Sequence, residues 1–338
     1  MQPRVLVVTP SEPDEHDTGP RHPERPTRLD AARAGIGDAH LDGLVVTCAG
    51  RDATRPELEL VHDARYVTAL EQFAAAGGGH LDPDTVVAPG SYRAAVRAVG
   101  CGLDAVEVLR GGGAETAFVV TRPPGHHAIA SRGQGFCLFN NVAVAAASLV
   151  GGGERVLIVD WDVHHGNGTQ DIFWDDPSVL YVSTHQFPAY PGTGRVDETG
   201  GPHARGLTVN FPLPPGATGD AAMAALDDVV APTVERFAPT WVLISAGFDA
   251  HRDDPLADLA WSAGDYSALA ARVLEFAPQP GRTIAFLEGG YDLDALQVSM
   301  TATVAALAGE VRRPEPPTSG GPGRDTAVRT QRALDALG

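Results

Sequence analysis

Asp160, Asp162, His164 and His165 crowd the stretch VLIVDWDVHHGNGTQ, residues 156–170, at the end of a run that otherwise reads as a buried strand. Ionisable groups in such a place are costly unless they are paired or hold a metal. In an extended chain, residues two apart face the same way. Asp160, Asp162 and His164 therefore share one side, and Trp161 and Val163 pack on the other. Carboxylate, carboxylate and imidazole at this spacing can give a metal two ligands and leave the third group as support. His165 falls on the opposite face and reads as a hydrogen-bonding structural histidine. The remaining ligand must come from elsewhere, and Asp249 in SAGFDAH is best placed, directly after another apolar run. Asp162, His164 and Asp249 leave a coordination position open, as catalytic zinc sites do. Two carboxylates with one imidazole are also hard enough for Fe2+, Co2+ or Mn2+. His251 is a candidate fourth ligand, although its position reads better as surface.

RPPGHHA, residues 122–128, supplies what a metal-activated water needs next. Prolines and Gly125 fix a turn that holds His126 and His127 side by side, and one of them can take and return a proton near neutral pH. Asp160 can orient one imidazole. Tyr291, in LEGGYD, can donate its hydroxyl to a developing oxyanion. Together these parts make a hydrolase for an amide or ester. The chain has no GxSxG elbow and no GxGxxG after a strand, so serine hydrolysis and dinucleotide chemistry have no support.

The elements that must position these groups are short, almost continuously apolar runs: 4–9, 117–121, 155–160, 178–184, 207–213, 241–247 and 283–290. Such runs suit strands covered on both faces. Helical patterns lie between them, at 91–110, 140–150, 220–237 and 262–277. The alternation predicts an α/β fold with a parallel sheet. In such sheets the site lies beyond the carboxyl ends of the strands. The runs ending at 121, 160, 247 and 290 all deliver polar groups there. We expect one catalytic domain over 1–310, then a loose Pro/Gly-rich segment over 311–338 with a short closing helix. Cys48, Cys101 and Cys137 lack CxxC spacing and suit reduced thiols, with Cys137 a small buried hydrophobe.

The formal net charge of -18, with arginine as the sole strongly cationic residue type, argues against nucleic-acid or membrane-surface partners and suits a basic ligand. The apolar run near Met1 is too short for a signal peptide, and no stretch is long enough for a membrane span. A cytoplasmic location is the expectation.

RPPGHHA, GFCLFNNVAVAA, VLIVDWDVHHGNGTQ, VLYVSTHQF, SAGFDAHRDDPL and LEGGYDLDAL together resemble the zinc-dependent histone deacetylase family, in particular its class II branch and the bacterial deacetylase-like amidohydrolases. The likeness runs from HPERPTRL, 22–29, to about residue 308. It implies an arginase-like fold with a central eight-stranded parallel sheet covered by helices on both faces. It implies zinc on Asp162, His164 and Asp249, with His127 as general base and acid, His126 paired with Asp160, and Tyr291 as oxyanion donor. Gly135 and Phe136 are implied as walls of a channel for an acyl-lysine stem, with Tyr190 a further wall candidate. A structural K+ near Asp160, Asp162, His164, Ser183 and Thr184 is implied too, and Arg28 lines an acetate exit path. Asn167, beside His127, stands where class I members carry aspartate. Leu256, at the channel, stands where the polyamine-selective branch carries glutamate. Asp292 stands where eukaryotic members usually carry asparagine.

The expected activity is metal-dependent removal of an acetyl or other acyl group from N-acyl-lysine or a related small acylated amine. The nearest alternative is an acetylpolyamine amidohydrolase. More remote are a ureohydrolase-like enzyme and an inactive acyl-amide binder.

Overall fold

The computed structural model describes residues 3–10 and 15–337; positions 1–2 and 11–14 of the opening stretch lie outside the described residues. The strands are β1 (Val5–Pro10), β2 (Val45–Gly50), β3 (Gly79–His80), β4 (Val86–Val87), β5 (Thr116–Val119), β6 (Val156–Asp160), β7 (Val179–Gln186), β8 (Thr208–Leu213), β9 (Trp241–Ala246) and β10 (Thr283–Leu287). Eight of them form one parallel sheet in the order β2-β1-β5-β10-β9-β6-β7-β8, and β3 and β4 form a small hairpin. The four strands whose ends carry the polar motifs, β5, β10, β9 and β6, are consecutive neighbours in the middle of the sheet. Motifs far apart in the chain therefore meet at one edge.

Alternation decides which face each residue serves. Leu157 and Val159 of β6 enter one core, while Val156 and Ile158 enter the other. Both faces are apolar because helices cover both, which is why the runs show no polar alternation. The seven apolar runs account for seven strands. The eighth, β2, lies at the sheet edge with most of its residues exposed or half-buried, so VVTCAG carries no continuous apolar signature.

The helix Ser91–Arg110 matches its sequence pattern end to end. The pattern at 220–237 instead forms two α-helices, Gly219–Ala225 and Ala231–Phe237, joined by five residues of π-helix. Pro232 is the physical reason: it has no N–H to return to the carbonyl of Asp228. The segment after the helix Leu293–Leu307 is not loose. Glu315 accepts hydrogen bonds from the His251 imidazole (2.8 Å) and Ala263 N (2.9 Å), and Thr318 donates to Asp265 (2.7 Å). The closing helix, Asp325–Asp335, then packs beside β8, where Thr330 donates to Asn210 O (2.7 Å). No helix among the described residues is long and apolar enough to cross a membrane.

His62 shows how tightly the loops near the site are tied. Its Nε2 accepts from Asn140 N (2.9 Å), so its Nδ1 donates to Ile129 O (3.1 Å). Burial pushes the imidazole down to about 4. A protonated ring would set an N–H against the Asn140 N–H. The stability from the neutral ring is fully present above pH 6.5 and is lost as pH falls toward 4. That interval corresponds to roughly 3 kcal/mol. Urea unfolding of wild type and His62→Gln at pH 7, 6 and 5 should show wild type losing stability more steeply; parallel slopes would refute this.

Candidate active site

Beyond β6 the chain leaves the sheet, yet its alternation persists. Trp161 and Val163 continue the core on one side. Asp160 and Asp162 are fully buried on the other, with His164 beside them. From the adjacent strand β9, Gly247 and Phe248 lead into Asp249, also fully buried. His164 Nδ1 lies 3.1 Å from Asp162 Oδ1 and 3.1 Å from Asp249 Oδ2. The ligand atoms of the three residues fall within 4.8 Å of one another. Backbone groups aim the carboxylates: Gly289 N donates to Asp162 Oδ2 (2.8 Å) and Val163 N to Asp249 Oδ1 (2.9 Å). A Cβ on Gly289 would come within 2.1 Å of Asp249 Oδ2, and one on Gly247 within 2.1 Å of Asp162 Oδ2, so these positions admit no side chain.

The electrostatics have the character of a cation site. Burial and the charge of Asp162 push Asp249 up to about 7. Burial opposes a proton on His164, but the hydrogen bonds to Asp162 and Asp249 outweigh it and push the imidazole up to about 10. One proton facing two carboxylates is a poor substitute for a divalent ion, and two oxygens with one nitrogen converging on a point fit such an ion.

The tandem histidines follow β5, with tilted rings whose centroids lie 4.0 Å apart. Their partners differ. His126 Nδ1 meets Asp160 Oδ2 at 3.1 Å. Burial alone disfavours its charged form, but Asp162 and Asp160 prevail and push it up to about 10. His127 Nδ1 meets the Asn167 carbonyl oxygen at 2.9 Å. Burial, with the positive charge of His126 and His164, holds His127 well below the usual range. The Asn167 amide oxygen suits an N–H at His127 Nδ1, which leaves the lone pair on Nε2.

Tyr291 is buried against the edge of Phe136, with centroids 5.7 Å apart, and beneath the Arg28 guanidinium at 4.9 Å. Gly135 faces the His127 ring, where a Cβ would approach to 2.6 Å. Tyr190, next to Gly135, sets its ring edge-on to His127 at 5.0 Å. Phe136 and Leu256 line a mouth cavity of about 550 Å³ together with His22, His80 and Asp84. The structure thus brings His126, His127, Asp160, Asp162, His164, Asn167, Asp249, Gly135, Phe136, Tyr190 and Tyr291 to one place, with Leu256 at the rim.

Ser183 pairs with Asp160 across β6 and β7, but its hydroxyl is bonded to His185 Nδ1 (2.9 Å). The buried Thr184 hydroxyl has no hydrogen-bond partner. His251 is neither a ligand nor a surface group: it is buried and bonded to Glu315. His165 does hydrogen-bond structurally, to Thr193 (2.8 Å) and Gln170 (3.0 Å). Cys137 is buried, and burial raises its thiol well above the ordinary value. Sequence reasoning misses Glu288, whose carboxylate accepts from Gly125 N (2.6 Å) and His126 N (3.2 Å) and is pushed up to about 7 by burial. Its only signal was an acidic residue at the end of an apolar run.

Comparison with known proteins agrees with this geometry. The family profile described as Histone deacetylase domain matches residues 22–307. A probable deacetylase of Archaeoglobus fulgidus is 40% identical over 314 residues, covering 89% of this chain and 86% of the relative. A histone deacetylase-like amidohydrolase of Pseudomonas aeruginosa is 38% identical over 262 residues, covering 76% of this chain and 69% of the relative. Among solved structures, the HD domain of HDA15 superposes with a TM-score of 0.91 at 35% identity, over 99% of this chain and 95% of that one. The chain belongs to the histone deacetylase family, whose members are hydrolases that act on amides.

Proposed function

We propose that this protein removes an acetyl or other short acyl group from N-acyl-lysine or a related small acylated amine, using one zinc ion held by Asp162, His164 and Asp249. The observation that carries the reading is His127, its Nδ1 bound to the Asn167 amide oxygen, beside that buried ligand set. The family is metal-dependent. A divalent ion there supplies Lewis acidity, lowering the pKa of water and polarising a carbonyl.

The chain's own residues supply the rest. His127 Nε2 accepts a proton from the attacking water and passes it to the leaving amine nitrogen. Asn167 holds the ring in the tautomer that leaves Nε2 free. His126 turns its Nδ1–H to Asp160 (3.1 Å), which favours positive charge on the ring beside His127. The Tyr291 hydroxyl donates to the carbonyl oxygen as it gains negative charge. In this reading Gly135, Phe136 and Tyr190 wall the passage for the methylene stem, and water is excluded as the stem fills it. Leu256 itself offers no carboxylate for a distal ammonium, so among the described residues the one carboxylate lining that mouth is Asp84. A structural K+ would draw mainly on backbone carbonyls near Asp160 and Thr184, since the Ser183 hydroxyl is already bonded.

Incubation of the zinc-loaded protein with acetyl-lysine peptides, longer acyl-lysine peptides and acetylated putrescine or spermidine should release amine fastest from a peptide. Preference for the polyamines would overturn the substrate assignment. The enzyme has no lysine of its own, so amine-reactive detection sees the product with little background. Tyr291→Phe should lower kcat by about 10²–10³-fold with little change in KM; wild-type turnover would remove Tyr291 from the mechanism. Asp249→Ala should weaken zinc affinity by about 100-fold or more in competition with a chromophoric chelator. Unchanged affinity would place the ion elsewhere.

A further inference from the structure

The loop from β9 to the helix Ala263–Leu274 carries a second buried aspartate, Asp254, five residues after Asp249. Its hydrogen bonds run to backbone N–H groups of two loops. Oδ2 accepts from Tyr291 N at 2.6 Å and from Asp292 N at 3.2 Å. Oδ1 accepts from Leu256 N at 3.0 Å. One carboxylate therefore joins the turn at the channel rim to the segment that presents Tyr291.

That segment needs external support. Gly289 and Gly290 precede the tyrosine, and Gly290 has φ +119, a conformation that side-chain-bearing residues rarely adopt. Two glycines in a row leave the backbone free to turn several ways, so local propensity does not aim Tyr291. Arg28 holds the inner side by donating to Gly290 O (2.6 Å) and Glu288 O (2.5 Å). Asp254 holds the outer side at Tyr291 N itself. Between these two anchors the Tyr291 ring lies edge-on to Phe136.

We infer that Asp254 is a positioning residue for the Tyr291 hydroxyl, an inference that rests on the oxyanion role assigned to Tyr291 above. Burying a carboxylate in a loop carries a large desolvation cost, and three backbone N–H bonds offset it here. Replacing it with alanine leaves those N–H groups buried without an acceptor and frees Tyr291 to shift. A displacement of about 1 Å at a reacting group is enough to cost 10²-fold in rate. Asparagine can keep an oxygen toward Tyr291 N and Asp292 N, and its NH2 then faces the Leu256 N–H, so the rim turn and not the Tyr291 segment bears the loss.

The test is a double-mutant cycle on zinc-loaded enzyme with an acetyl-lysine peptide, read by single-turnover rates at high enzyme concentration. Asp254→Ala should lower kcat by about tenfold or more while KM and zinc affinity stay within about threefold. Asp254→Asn should restore kcat to within about threefold of wild type. In a Tyr291→Phe background Asp254→Ala should cost less than about threefold, because there is no hydroxyl left to misplace. If the alanine variant does not hold its fold, Asp254→Glu serves instead: it keeps the charge but moves the acceptor outward, and should lose kcat in the same Tyr291-dependent way. An equal loss in both backgrounds, or an asparagine variant no better than alanine, overturns the inference while leaving Tyr291 in place. Wild-type kcat in Tyr291→Phe removes the oxyanion reading, and the inference with it.

Discussion

Two like charges, Asp162 and Asp249, are buried within 4.8 Å at the ends of neighbouring strands, and the rest of the site is organised around that repulsion. At an effective dielectric near 20 the cost is about 3 kcal/mol, more where the interior is drier. Something positive must sit between them, and His164 Nδ1 occupies the shared edge. The parallel sheet is what allows such an arrangement. Its middle strands end together, so each can contribute one group, while apolar cores on both faces hold the strand ends in place.

The loops that leave those strands have little regular structure, so their aim comes from buried carboxylates that accept backbone N–H bonds. Glu288 holds the turn before the tandem histidines, and Asp254 holds the segment bearing Tyr291. Arg28 and Arg122 converge on Glu24 behind the site, with Arg28 also gripping carbonyls of the Tyr291 loop. These are charge-assisted bonds in a water-poor interior, where they are stronger than at a surface. The same interior makes each one expensive to leave unpaired, so the loops have few alternative arrangements.

Much of this was legible in the sequence because it is local. An apolar run ending in Asp160, Asp162 and His164 announces both the strand and the cluster of ionisable groups at its end, and the parity that places Trp161 and Val163 in the core comes from the extended chain alone. The central strands read clearly because both of their faces are buried. β2 did not, because an edge strand facing solvent needs no such run. Asp254, Glu288 and the His251–Glu315 pair were illegible for a different reason. Their partners are backbone groups or residues 37 to 163 positions away, and a backbone N–H leaves no trace in residue type. Glu315 illustrates the limit: its segment has the composition of a loose tail, yet one carboxylate with three partners, His251, Ala263 N and Arg252, ties it down.

The tandem histidines carry the argument furthest from residue type. Adjacent in sequence and with tilted rings 4.0 Å apart, they are pushed in opposite directions from the ordinary imidazole value. The difference lies in what each Nδ1 meets. A carboxylate, Asp160, stabilises a full positive charge on His126; the neutral amide of Asn167 offers His127 a hydrogen bond without that charge. Burial disfavours a proton on His127, and positive charge on His126 next door disfavours it further. An ionised carboxylate at position 167 would work against this by favouring imidazolium on both rings. The neutral side chain there keeps one histidine as a fixed charge and the other as an acceptor, a division of labour that neither ring could establish alone.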